Sequence, residues 1–221
     1  MKRIIVTAMV ILGFAATNTN AALLTYRIDG AVTIVSGLTA INVGDDVVVY
    51  FQYDDIEFGA DQHGSANIGE YINPQMSVSV QVEGQDTWVG TDGGATYIHD
   101  NFSDRDRYSH IVQPVVGAVE GFDLVTALID LRDNSQSVFN DDSFRTMSQF
   151  NLSDFDTNFL ALDFYKLVGT HEFFANITGS VSSITQVENS EFPTGIVPIP
   201  GALLLFGSAL GLLGWMRRST N

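Results

Sequence analysis

The feature that most restricts the folding of this chain is an alternation with a period of two. Met76, Val78, Val80 and Val82 interleave with Ser77, Ser79, Gln81 and Glu83. A β-strand sends successive side chains to opposite faces, so one face of this run is expected in a core and the other in water. Similar runs occupy 26–35, 47–53, 124–131, 159–165 and 173–184, with turn-forming clusters at 42–46, 90–94 and 133–136. Between the two ends of the chain no long window keeps a helical period. The expectation is an all-β domain, an antiparallel β-sandwich or jelly-roll-like fold. A short echo, Ile28-x-Gly30-x-Val32 and Ile177-x-Gly179-x-Val181, predicts that the first and last strands are neighbours. It also predicts that the glycines mark a close backbone approach or a bulge.

The ends of the chain follow a different pattern. Lys2 and Arg3 precede an apolar run over 4–16, which is too short for a stable membrane span, and small residues follow. This reads as a secretory signal peptide over 1–21, cleaved after Ala21. At the other end Val197-Pro198-Ile199-Pro200-Gly201 leads into an apolar stretch over 202–216, closed by Arg217 and Arg218. As a helix that stretch is expected to enter a membrane, with the arginines on the cytoplasmic side and the body outside. The two prolines hold the preceding chain extended, the form in which a protease grips a backbone.

The Val-Pro-x-Pro motif, the apolar stretch and the arginine pair together resemble the PEP-CTERM sorting signal of Gram-negative bacteria, with Ile199 where the motif's namesake carries Glu. The resemblance implies recognition by an exosortase, a membrane-embedded protease that cuts near the prolines. It makes Val197, Pro198, Ile199, Pro200, Gly201, Arg217 and Arg218 the sorting residues. It also implies an extracellular-matrix setting, since such systems accompany exopolysaccharide production. Val43-Gly44-Asp45 and Tyr53-Asp54-Asp55 are similar to a turn and strand end in the middle domains of such proteins, a likeness that implies no activity. The division expected is a signal peptide over 1–21, an acidic β-domain over 22–187, a polar linker over 188–196 and the sorting signal over 197–221.

All 26 acidic residues lie between the terminal segments, against six basic ones, Arg27, Arg105, Arg107, Arg132, Arg145 and Lys166. A body of that sign repels nucleic acid and anionic lipid. The chain has no cysteine, which excludes disulfides and thiolate chemistry. Within 100–106, Asp100, Asp104 and Asp106 are candidate ligands for Ca²⁺, a hard cation that prefers oxygens, although the spacing is not an EF-hand and Arg105 and Arg107 oppose a cation. No cofactor is expected; calcium, if it binds at all, would use these three carboxylates. Asp54, Asp55, Glu57, Asp61 and His63 form a second polar cluster in which carboxylates could divide into acid and base. Solvated loop acids are the simpler reading. The four histidines (His63, His99, His110 and His171) are dispersed, and Trp88, Tyr97 and Tyr108 are candidates for stacking on a sugar. No catalytic residue is assigned. The expectation is an exported, exosortase-sorted surface or extracellular-matrix protein with a non-enzymatic body. The alternative is a secreted polysaccharide-binding lectin or hydrolase, with or without calcium.

Overall fold

A computed structural model of the protein describes residues 23–193, apart from residues 56, 57, 92, 114 and 116. Ala21, Glu57 and the sorting residues from Val197 to Arg218 lie outside the described residues. Eleven strands follow in chain order: β1 (Leu23–Ser36), β2 (Asp46–Asp54), β3 (Ile68–Asn73), β4 (Ser77–Val82), β5 (Trp88–Gly90), β6 (Gly94–His99), β7 (Asp106–Val112), β8 (Ala118–Val119), β9 (Phe122–Asp133), β10 (Thr157–Val168) and β11 (His171–Val187). The only helical turns among the described residues are three short 3-10 turns, at Met147–Gln149, Leu152–Asp154 and Asn189–Glu191. No helix among them is long and apolar enough to cross a membrane.

The period-2 runs become strands as expected, and all the pairings between them are antiparallel. They form one continuous ladder, β3-β6-β7-β9-β10-β11-β1-β2-β4-β5, with β8 added on β9. The ladder curls into a half-barrel. Its two arms face each other across the core. Phe51 and Tyr53 of β2 reach His110 of β7 at ring separations of 5.6 and 5.1 Å, and Trp88 of β5 meets Phe164 of β10 at 5.6 Å. A single sheet suffices because β1, β10 and β11 are 14, 12 and 17 residues long, enough to bend around the core with partners on both sides.

The first and last strands pair, and the two Ile-x-Gly-x-Val copies run antiparallel so that Gly30 opposes Val181 and Val32 opposes Gly179. The ladder shifts register between Asp29 and Gly30 and again between Val32 and Ile34. A Cβ on Gly30 would lie 2.3 Å from the carbonyl oxygen of Ser180, so only glycine fits this approach.

The loop over 134–156 fills the open side of the curl with Phe139, Met147 and Phe155, all buried. Beneath it runs a polar thread. His110 is wholly buried, with Thr96 Oγ1 2.6 Å from Nδ1 and Tyr108 Oη 2.8 Å from Nε2, and Tyr108 donates to the carbonyl of Arg145 at 3.1 Å. One tautomer satisfies every group: Thr96 donates to Nδ1, Nε2–H donates to Tyr108, and Tyr108 donates to the loop. Burial holds the His110 imidazole neutral, with its pKa lowered to about 3.

Two sequence expectations need correction. Ser77 and Ser79, read as water-facing, are buried. The segment following β11, read as a solvated linker from 188, folds back onto this part of the sheet. Phe192 is only 5% exposed and lies edge-on to Tyr50, the cross-strand partner of Ser79, while Thr25 donates to the Asn189 side chain at 2.9 Å. The folded domain thus continues through Phe192. The apolar surface of a single phenylalanine outweighs the polarity of its neighbours.

Candidate functional site

On the convex face of β3, β6, β7 and β9, the side chains that point away from the core form three rows across the sheet. Cross-strand register aligns Ile68, His99, Arg107 and Arg132 in one row. Glu70, Tyr97, Ser109 and Asp130 form the next, and Ile72, Ala95, Ile111 and Leu128 the third. Above them lie three adjoining depressions of about 390, 310 and 210 Å³. The first two share Tyr97 and Ile111, and the last two share His99 and Arg107, so they form one open groove along β6 and β7. From Gln113 at one end to Arg105 at the other it runs the length of β7 and one residue beyond at each end, eight steps or about 26 Å at ~3.3 Å per residue.

Two loops wall the groove. Residues 59–62 lie along the outer edge of β3, where Gly59 and Gln62 donate to the carbonyls of Ile72 and Glu70. The Asp61 carboxylate accepts from the backbone N–H groups of His63 and Glu70, and so sets His63 on the rim. This wall also covers a strand edge that would otherwise be open to pairing. The second loop, 100–105, places Asn101, Ser103 and Asp104 at φ values of 53°, 55° and 59°. Three non-glycine residues in the left-handed region within one short loop need firm support. Asp106 supplies it: its buried carboxylate accepts backbone N–H bonds from Asn101, Val138 and Phe139 at 2.9, 3.0 and 2.8 Å. Asn67 and Asp100 exchange two further hydrogen bonds, which tie the walls together.

The groove gathers half of the domain's cations at one end. Asp130 is wholly buried, and Arg107 and Arg132 both hold it, at 2.6 and 2.9 Å. Two guanidinium groups on one carboxylate leave a positive charge over. Arg105 adds another, having no carboxylate partner among the described residues. Burial, and then the neighbouring Arg107, lower the pKa of His99 to about 4, so it is neutral at pH 7. Tyr97 donates to Glu70 at 2.9 Å, and its ring lines the groove. Ser109 lies beneath, 1% exposed, with no hydrogen-bond partner for its Oγ.

Comparison with protein-family models, with curated proteins and with solved structures finds no match to this chain. What the site can do rests on its own geometry.

Asp100, Asp104 and Asp106 do not converge. Asp106 opens β7 with its side chain inward and fully engaged, while Asp104 is exposed on the loop outside. Among the described residues no three His, Asp or Glu side chains gather to hold a metal ion. In the second cluster Asp54 is buried at the end of β2 and Asp61 is engaged in its loop, and among the described members only His63 lines the groove. Of the three aromatic candidates, Trp88 and Tyr108 are core residues and Tyr97 alone lines the surface site. The residues not singled out in the sequence are Arg107, Ser109, Asp130 and Arg132. Their signal was present: Arg107-x-Ser109 and Asp130-x-Arg132 place polar groups at strand spacing. With Arg105, this region holds half the cations of the body.

Proposed function

We propose that this is an exported surface or extracellular-matrix protein whose β-domain is a non-catalytic binding module, and that the groove along β6 and β7 takes an extended carbohydrate polymer. The observation that carries the reading is the groove itself. It is about 26 Å long, and lined by the aromatic rings of Tyr97 and Phe102 among arginine, serine and histidine side chains. Extended sugars are held by such a mixture, with a ring stacked on the aromatic face and hydroxyls taken by fixed polar groups. The signal peptide over 1–21, the C-terminal helix over 202–216, sorting by an exosortase and the jelly-roll-like description of the facing arms belong to the same proposal, on the strength of the sequence patterns. Transient anchoring in the inner membrane followed by surface or extracellular display would bring the groove to an exopolysaccharide.

Two measurements test it. Replacing Tyr97 with Ala should weaken retention of the full chain on immobilised polysaccharide at least fivefold without lowering its melting temperature by more than a few degrees. Unchanged retention would remove the groove as the binding surface. For the address, the mass of the mature protein should correspond to cleavage after Ala21 and near Pro198–Pro200 in cells that contain an exosortase. Replacing both prolines with Ala should leave a form that still carries Arg217 and Arg218. A double variant that matures to the wild-type mass would refute the sorting reading.

A further inference from the structure

The groove is not uniform along its length. Among the described residues lining its Gln113 end the one charged group is Glu70, bonded to Tyr97, whereas the other end converges on Arg105, Arg107 and Arg132. We infer that the arginine end is a carboxylate subsite, and that the groove selects a polymer carrying isolated uronate-type carboxylates over a neutral one. This rests on the reading of the groove as a polymer site.

Three observations carry it. Half of the domain's six cations meet at one place, although the domain is otherwise strongly acidic. Such a concentration gathers N–H donors for an anion at short range. The nearby carboxylates keep their charge but turn their oxygens to other donors: Asp130 to two guanidinium groups, Asp106 to three backbone N–H groups and Glu70 to a tyrosine hydroxyl. Asp100 and Asp104 do not line the depressions. Finally, the buried Ser109 hydroxyl lacks a partner at the floor of the central depression, adjacent to Arg107. A buried hydroxyl without a partner is costly, and a ligand oxygen would supply one.

The kind of anion follows from these donors and from the acidic surface around them. Guanidinium forks match a carboxylate in two parallel hydrogen bonds, and Arg105 is free to offer its fork. A densely charged chain would have to lie along the acidic remainder of the surface and would be repelled. Widely spaced carboxylates escape this, because screening weakens repulsion beyond about 10 Å at 0.1 M salt. Phe102, which packs edge-on against His99 at 5.3 Å, gives this end an apolar wall for the face of the same sugar.

The test titrates the full chain in detergent with hyaluronan fragments, which carry a carboxylate on alternate sugars, with the same fragments after carboxyl reduction, and with free glucuronate. The fragments should bind at least tenfold more tightly than their reduced form, and the preference should shrink as salt is raised. Arg105→Ala should remove most of the preference. It breaks no ion pair, so the variant should melt with wild type. Equal binding of native and reduced fragments would overturn the carboxylate subsite and leave the polymer groove standing. Binding of glucuronate that depends on Arg105, without binding of either fragment, would keep the subsite and overturn the polymer reading. If none of the three binds, both are wrong.

Discussion

His110 shows how much of this domain depends on a single neutral ring. Its pKa in the folded chain is lowered to about 3, whereas an unfolded histidine titrates near 6.5. Between those values the unfolded chain binds a proton that the folded one refuses. Stability is therefore full above about pH 6.5 and declines as pH falls, by up to ~1.4 kcal/mol per unit from this residue. His99, lowered to about 4, adds to the decline over a narrower range. A series of urea midpoints from pH 7 to 4.5 should show the slope, and His110→Gln should flatten it. An unchanged slope would place the titration elsewhere. Asp133 acts at lower pH. Burial opposes its charge, but the N–H and hydroxyl groups of Ser135 and Ser137 outweigh burial and hold it at about 2, so its contribution persists above about pH 4 and is lost towards pH 2. Asp106 is the other residue on which loops depend. Asp106→Asn would turn an amide N–H₂ toward backbone donors, loosening 100–105 and 138–139 together, and a loss of about 2–4 kcal/mol in chemical denaturation is expected.

At the scale of strands, the sequence was informative wherever one side chain per two residues met the core. The runs around Tyr26, Val49, Val80, Ile129, Leu162 and Ile177 all became strands with those residues buried. The Ile-x-Gly-x-Val echo went further and identified a pairing across the whole chain, because a glycine forced by close approach leaves a mark in sequence that packing alone does not. Gly30→Ala should accordingly cost about 1–3 kcal/mol or more. Gly64→Ala, where nothing lies within 4 Å of the added Cβ, should stay within about 0.5 kcal/mol of wild type. Similar losses in both melts would mean that β1 and β11 do not approach closely at Gly30. The groove was hard to read in advance for the opposite reason. Its rows run across four strands, so neighbours such as Arg107 and Arg132 are 25 positions apart in sequence and meet only through register. The oxygen-rich loop attracted attention because its residues are consecutive, yet β7 turns Asp106 inward and leaves Asp104 outside. Ser79 was misread because its burial depends on neighbours set by register, Tyr50 on β2 and Val89 on β5, which the alternation within its own run does not show.

At the scale of the molecule, the sheet order puts β1 between β2 and β11, so the strand made first waits for the strand made last. The two arms of the curl cannot be joined until β11 is available, a topology of long-range contacts that favours slow folding. Phe192 then fastens the end of the chain against Tyr50, and Phe192→Ala should lower stability by about 1–2 kcal/mol while exposing the backbone after Val187 to proteolysis. A protection pattern that matches wild type would mean that the contact fastens nothing. The pairing of β1 with β11 also decides how the domain bears load. Thr25 lies beside Val187 and Ser36 beside Asn176, so the two ends of the domain leave the sheet at the same corner. Pulled apart from there, the ladder parts one rung at a time. Pulled from residues 25 and 176, many rungs must break together, because the hydrogen bonds lie across the strands. Single-molecule extension should therefore give a lower rupture force for attachment at 25 and 187 than at 25 and 176. Held from its C-terminal side, the domain hangs by a strand of 17 residues that β10 grips over 171–180 and β1 over 176–187, so a load arriving from that side falls first on β1.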